Sequence, residues 1–220
     1  MLEATPAGRW THCAVPQCSG VQLPGPDRAC LAHCSEPARR RALSALSRGR
    51  PVDFVRGVPV HEELLEEILQ LAPRDGMGGP LLTSATFTRA TFPGEADFSG
   101  VTFRGATSFT GASFSSDASF AGTLFTGQAD FGWTTFWAGA DFTRAVFLQS
   151  FATTRATFLG PVDFSECVFG AEASFFRAMF GMVPDFTDAE FRGAAFFFRA
   201  EFPSRPRLPG VRFRTPPVWS

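Results

Sequence analysis

Phenylalanine recurs along this chain at alternating intervals of five and six residues: Phe87, Phe92, Phe98, Phe103, Phe109, Phe114, Phe120, Phe125, Phe131, Phe136, Phe142 and Phe147. After one interruption the rhythm resumes at Phe158, Phe164, Phe169, Phe175, Phe180, Phe186, Phe191, Phe197 and Phe202. Two residues before most of these Phe positions sits a small residue, as at Ala85, Ala96, Ala118, Ala140, Ala173 and Ala195. An α-helix repeats every 3.6 residues and a strand every 2, and neither period produces this pattern. A longer fixed period is the mark of stacked structural repeats. In a unit of small-x-Phe-x-x, the small and large side chains point inward and the residue between them points out. The other positions are rich in Gly, Ser, Thr, Asp and Arg, which suit turns and solvent.

The segments Ala-Asp-Phe-Ser-Gly-Val-Thr-Phe (96–103), Ala-Asp-Phe-Gly-Trp-Thr-Thr-Phe (129–136) and Ala-Asp-Phe-Thr-Arg-Ala-Val-Phe (140–147) resemble the pentapeptide repeat family, whose consensus is Ala-Asp/Asn-Leu-x-x. The resemblance covers roughly residues 84–203. It implies an all-β repeat fold, a right-handed quadrilateral β-helix with one repeat per face and four per coil. Here Phe replaces Leu and the paired period is 11 rather than 10. These departures, with no Lys or Tyr in the chain, look like an actinobacterial branch of the family.

Four repeats per coil place residues 22 apart above one another. Four Phe columns follow, starting at Phe87, Phe92, Phe98 and Phe103. Coils should lie about 4.8 Å apart, giving a rod roughly 25–30 Å long. Thr153 falls where Phe is expected and Phe151 where the small residue is expected. Either large and small have exchanged places on one face, a volume-conserving swap that cores tolerate, or a local bulge has slipped the register.

An open β-helix needs covered ends. His61 to Ala72 reads as an amphipathic helix with Leu64, Leu65, Ile68, Leu69 and Leu71 on its apolar side. The preceding Val-Asp-Phe-Val-Arg-Gly-Val-Pro-Val (52–60) reads as one or two extended edges. The C-terminal stretch is rich in Pro and Arg and reads as a tail, folded over the last coil through Val211, Phe213 and Trp219 or trailing free.

Four of the five cysteines cluster near the start, at Cys13, Cys18, Cys30 and Cys34, with His33 among them. Cys13-x4-Cys18 followed by Cys30-x2-His33 makes two ligand pairs. Thiolate and imidazole are the donors that tetrahedral zinc prefers. The segment resembles small zinc-ribbon or treble-clef knuckles. Cys34 and His12 are competing ligands, and disulfides are the alternative chemistry. The opening residues 1–10 carry no apolar signal segment. That predicts a reducing, cytoplasmic setting in which metal binding prevails over bridges. The expected cofactor is one structural zinc on Cys13, Cys18, Cys30 and His33. Cys167, at a small inward position, reads as an inert buried thiol.

The domains read as a zinc knuckle over 1–35, a helical linker and cap over 36–83, a pentapeptide-repeat β-helix over 84–203, and an Arg/Pro-rich tail over 204–220. Ser35 with Pro37 marks a helix start. Arg39, Arg40 and Arg41 form either a solvated helix face or a contact for nucleic acid or an acidic protein. No apolar run is long enough to span a bilayer.

Net charge is −1 for the whole chain. Residues 84–203 hold 7 Arg against 12 Asp and Glu, a balance of −5. Stacking predicts an acidic stripe (Asp97, Ser119, Asp141, Asp163, Asp185), an apolar stripe (Thr102, Leu124, Val146, Val168, Glu190) and a basic stripe (Arg89, Gly111, Trp133, Arg155, Arg177, Arg199). The three histidines offer no nucleophile–His–acid arrangement, and no phosphate loop or open metal site can be assembled. The expected function is a non-enzymatic protein-interaction scaffold. Its partner should dock on Trp133, Arg155, Arg177 and Arg199 with Phe176 and Phe198, or at the aromatic C-terminal end, where a homodimer is also possible. The resemblance implies an alternative, a DNA-mimicking gyrase binder giving self-protection. A third reading is an enzyme acting on a β-helix face.

Overall fold

Short strands of two or three residues recur from Leu81 to Phe213 and pair only with strands in neighbouring coils. The structure, a computed structural model, describes residues 11–53 and 55–219. The reading of residues 1–10, and Phe54 in the expected edge, lie outside the described residues. All strand pairs are parallel and almost all are offset by 22 residues, as in Phe92↔Phe114↔Phe136↔Phe158↔Phe180. The strands form four sheets of 7, 5, 4 and 5 members, one for each side of a four-sided parallel β-solenoid.

The expected Phe columns are present. Within a column, successive rings stack nearly parallel, from 4.5 Å for Phe92–Phe114 to 5.3 Å for Phe147–Phe169. Between columns the rings meet edge to face, as for Phe98–Phe109 at 5.4 Å and 80°. Both arrangements suit the ring quadrupole and add about 0.5–1.5 kcal/mol per pair beyond burial. The parallel-sheet spacing and the preferred ring-stacking distance nearly coincide, so backbone and core favour the same geometry.

The interval of five has a physical cause. Each Phe that begins such a step accepts a hydrogen bond from the N–H three residues on, as in Ala90 to Phe87 (3.0 Å) and Ala145 to Phe142 (2.9 Å). The third residue of that turn has positive φ: Arg89 at 56°, Trp133 at 59°, Arg144 at 60°. This is the tight turn that takes a left-handed residue. Where Asp precedes the Phe, it caps this turn. Asp97, Asp141, Asp163 and Asp185 accept the N–H two residues on, at 2.8, 2.8, 2.7 and 2.9 Å. The Ala-Asp-Phe motif is therefore core spacer, turn cap and core filler in sequence.

At Phe151 and Thr153 the register does not slip. Phe151 pairs with Ala129 and Ala173, and both Phe151 and Thr153 are fully buried. The Phe151 ring reaches sideways to Phe131 (5.8 Å) and Phe175 (5.6 Å), filling the rung that Thr153 leaves short. The exchange of large and small holds, and the bulge does not occur.

At the N-terminal end, Val52, Val55, Val58 and Val60 lie beneath the first coil. The Val60 N–H donates to Thr91 (2.7 Å), and Val52 accepts from Thr86 (2.7 Å). Helix α1 spans Glu36–Leu43 and helix α2 spans Glu62–Leu71. α2 buries Leu64, Leu65 and Ile68; Leu71, expected on the apolar side, is exposed at the helix end. Of the two readings of the C-terminal stretch, folding over the last coil holds, and over the described residues it continues the repeat as a further coil. Phe213 stacks on Phe191 (4.8 Å) and Trp219 on Phe197 (4.3 Å), each 22 residues below. Its Pro and Arg content hid a period that continues through Leu208, Phe213 and Trp219.

Phe136→Ala should destabilise the protein by about 3–5 kcal/mol in denaturant melts; a loss under about 1 kcal/mol would deny deep burial. The swapped rung allows a sharper check. Phe151→Ala and Thr153→Phe should each destabilise, by about 3–5 and about 1–3 kcal/mol, through a cavity and through overpacking. Combined, they restore the regular repeat and should recover most of the loss, a coupling that a double-mutant cycle reads directly. Additive losses would show that the two rings do not share one space.

Candidate metal centre and corner ladder

Two turns bring the N-terminal ligand atoms together. His12 and Val21 form an antiparallel bridge, and the Cys13 N–H donates to the Gly20 carbonyl (2.8 Å). This folds Cys18 back toward Cys13. The Cys30 carbonyl accepts from the N–H groups of His33 (3.0 Å) and Cys34 (2.9 Å), closing the turn that presents His33. A Cβ at Gly20 would sit 2.7 Å from Cys30 Cβ and 2.8 Å from its Sγ, so only glycine lets the two turns close.

The Sγ atoms of Cys13, Cys18 and Cys30 and a ring nitrogen of His33 all lie within 4.8 Å of one another. Cys18 Sγ is 3.7 Å from Cys30 Sγ. His33 Nδ1 is 3.4 Å from Cys30 Sγ and 3.6 Å from Cys13 Sγ. A zinc tetrahedron with ordinary Zn–S and Zn–N bonds has edges of about 3.8 Å between sulfurs and about 3.6 Å between sulfur and nitrogen. The donor set therefore matches that of a closed four-ligand site, and this Cys3His cluster could hold a metal ion.

Cys34 turns away, its thiol donating to the Leu31 carbonyl (3.4 Å). His12 is occupied elsewhere, with Nδ1 3.0 Å from the Ser19 carbonyl. The cysteines are free thiols, so the described residues hold no disulfide.

The thiols of the cluster differ in acidity. Burial raises Cys13, but N–H groups of Cys30 and Val15 and the neighbouring His33 outweigh it and lower the thiol to about 7. Burial pushes Cys30 up to about 12, with Cys18 and Cys13 adding to it. The Cys13 thiolate therefore forms readily, and Cys30 resists joining it without a cation. Cys167 is buried in the solenoid, its thiol donating to Phe142 O (2.9 Å), and burial raises it well above the usual range.

The knuckle is joined to the rod. Val21 N–H donates to Arg56 (2.9 Å), and the Ser19 hydroxyl donates to the Gly57 carbonyl (3.0 Å). Beside this joint rises one corner of the solenoid, carrying Arg89, Gly111, Trp133, Arg155, Arg177 and Arg199 on successive coils, every one with positive φ. The Arg155 guanidinium lies 4.4 Å over the Trp133 ring. Arg177 lies 5.2 Å over Phe176 and Arg199 5.3 Å over Phe198, while Phe176 and Phe198 stack at 5.8 Å. The structure thus brings Trp133, Arg155, Arg177, Arg199, Phe176 and Phe198 into one ladder. Neither Glu172 nor Glu201 pairs with these arginines among the ion pairs of the described residues.

The acidic stripe has a structural use, since its Asp side chains cap turns, and Arg207 comes within 3.7 Å of Asp185. The arginine run on α1 is dispersed: Arg40 pairs with Glu36, and Arg39 approaches Glu67 at 3.9 Å. Ser35 stands at the N-cap, but its hydroxyl donates to Asp27 (2.6 Å) rather than to the helix.

A four-sided parallel solenoid with a Cys3His knuckle defines a class of repeat protein, and the sequence places it further. Residues 87–135 match the family model described as Pentapeptide repeats (9 copies), so this part of the rod is a pentapeptide-repeat solenoid of Phe-centred form. Proteins of this kind are typically non-enzymatic scaffolds. No curated protein matches the chain. No helix among the described residues is long and apolar enough to cross a membrane.

Protein produced without a metal-binding tag should carry about one zinc per chain by elemental analysis, as a closed four-ligand site requires. The Cys13→Ser, Cys30→Ser double variant should lose it, and unchanged metal content would remove the assignment. Acidification should release the metal from the wild type as protons compete for the thiolates. Because Cys30 and Leu31 pack in one continuous core with Val52 and Val58, stripping the metal should loosen the first coil while the later coils stay folded. Hydrogen exchange would report both regions.

Proposed function

We propose that this protein is a non-enzymatic interaction scaffold. In this reading a structural zinc on Cys13, Cys18, Cys30 and His33 shapes the N-terminal module, and a protein partner docks on the corner ladder. The observation that carries the proposal is the ladder itself. Trp133 is 57% exposed although it is the largest side chain on the corner, and it already stacks with Arg155. Arg and aromatic residues are the types that dominate interface energy. A left-handed residue other than glycine costs on the order of 1–3 kcal/mol, and such strain concentrates at functional positions. Gly occupies the equivalent turn position at Gly100, Gly122 and Gly210, yet five of the six residues on this corner carry side chains.

The charge of the ladder selects an acidic partner, whose binding should weaken as salt rises. Reversing charge at Arg155 and Arg177 should abolish capture of that partner from a lysate, with the melting curve unchanged. Unchanged capture would dismiss the ladder. Asp141→Asn and Asp163→Asn test the DNA-mimic alternative cleanly, because Asn still accepts the turn N–H and removes only the charge. If those variants alone lose capture, and gyrase is the captured protein, that reading takes the place of this one.

A further inference from the structure

The corner ladder has one missing rung. Gly111 stands where every other coil places a side chain, between Arg89 below and Trp133 above. A Cβ at Gly111 would meet only the Cγ of Arg89, at 3.5 Å, so the space over it is open. Arg155 covers one face of the Trp133 ring. Trp133 also lines the cleft over Gly111, together with Arg89. With coils about 4.8 Å apart, one planar ring fits between the Arg89 and Trp133 rungs.

The gap is more than a surface notch. The knuckle walls it with His12, Ser19 and Val21, and the joint at Arg56 and Gly57 closes its side, making a cleft of about 670 Å3. Backbone hydrogen bonds hold these walls in place. His12 Nδ1 faces the Ser19 carbonyl, which can only accept, so Nδ1 donates to it. Thr88 and Thr110 add hydroxyls on the rod side, linked through Ser108 at 3.1 and 2.8 Å. The nearest carboxylate, Asp130, is engaged by the Gly132 N–H (2.8 Å) and the Thr110 hydroxyl (3.0 Å). Arg89 is exposed and forms no ion pair among the described residues.

The geometry points to a binding site for a flat aromatic ring that carries a phosphate, the chemistry of a nucleotide. The ring takes the empty rung against Trp133, and the phosphate is met by the Arg89 guanidinium. Stacking on an aromatic face accepts any base, and a guanidinium suits phosphate by charge and by its fork of donors. The source can be a free nucleotide or the end of a single strand, since both present this group.

The test is calorimetry on the full zinc-loaded chain with adenosine monophosphate, adenosine, inorganic phosphate and a 5′-phosphorylated oligonucleotide. The nucleotide or the oligonucleotide should bind, and adenosine and phosphate alone should bind far more weakly. Trp133→Gly, which suits the left-handed backbone, and Arg89→Gln should each weaken binding by on the order of tenfold or more. Gly111→Arg should block the site by filling the rung, in a backbone conformation that Arg89 and Arg155 already adopt. Binding to the oligonucleotide alone would assign the source as a strand end, and binding to the mononucleotide as free nucleotide. No binding by either, phosphate binding as tightly as the nucleotide, or unchanged affinity in Gly111→Arg would overturn the proposal. Arg177→Glu with Arg199→Glu removes the outer ladder and leaves the rung, so failure of the docking proposal and of this one remain distinguishable.

Discussion

The rod depends on stacking one phenyl ring on another at the spacing of a parallel sheet. A coil of four short strands has almost no local stability, because two-residue strands fix few contacts within themselves. Stability arises only when the next coil pairs its backbone and lays its rings on those below. The 22-residue offset satisfies both demands together, as Phe114 shows: it pairs with Phe92 and Phe136 through the backbone and stacks on the same two through its ring. Ring size then sets the other positions. Four phenyl columns fill the interior, so the second inward residue must be small. Where it is polar, it can use a backbone acceptor, as Thr123 and Thr134 do at Phe98 O and Phe109 O, whereas Thr107 buries its hydroxyl without one.

This constraint explains which parts of the fold were legible in the sequence. The columns could be read because core identity repeats: one residue type, at one interval, means one thing each time. Even the irregular rung was readable, since Phe151 and Thr153 conserve volume across a face. The last coil was not. Leu208, Phe213 and Trp219 keep the interval, but the residue type changes and prolines surround them, so composition argued for a tail. The first edge was readable only as extended, because Val52, Val58 and Val60 pair with the coil above at offsets outside the repeat.

The candidate sites divide along the same line. The Cys/His spacing named the four atoms that converge, because ligand pairs on tight turns are local in sequence. It left Cys34 and His12 open, since the direction of a thiol or a ring depends on which carbonyl is nearby: Leu31 for one, Ser19 for the other. The corner ladder followed from stacking alone. The cleft at Gly111 did not, because its second wall belongs to the knuckle, nearly a hundred residues earlier, and no periodicity within the rod reports that contact.

The outward positions show what a rigid repeat leaves free to vary. The Asp stripe is tied to the turns, so its charge comes with the architecture. The left-handed corners are different. Their backbone is satisfied best by glycine, and a side chain there adds nothing to the core. On the opposite corner three side chains appear, Arg144, Glu166 and Asp188, and the first two pair with each other at 3.0 Å. On the ladder corner no acid answers the arginines, and aromatic rings take the place of carboxylates beneath them. An arginine on an aromatic face keeps its charge and its outward donors, whereas one in an ion pair spends both. The same fold thus holds two chemically different corners under identical backbone constraint, one built on an ion pair between coils and one on arginines stacked over aromatic rings.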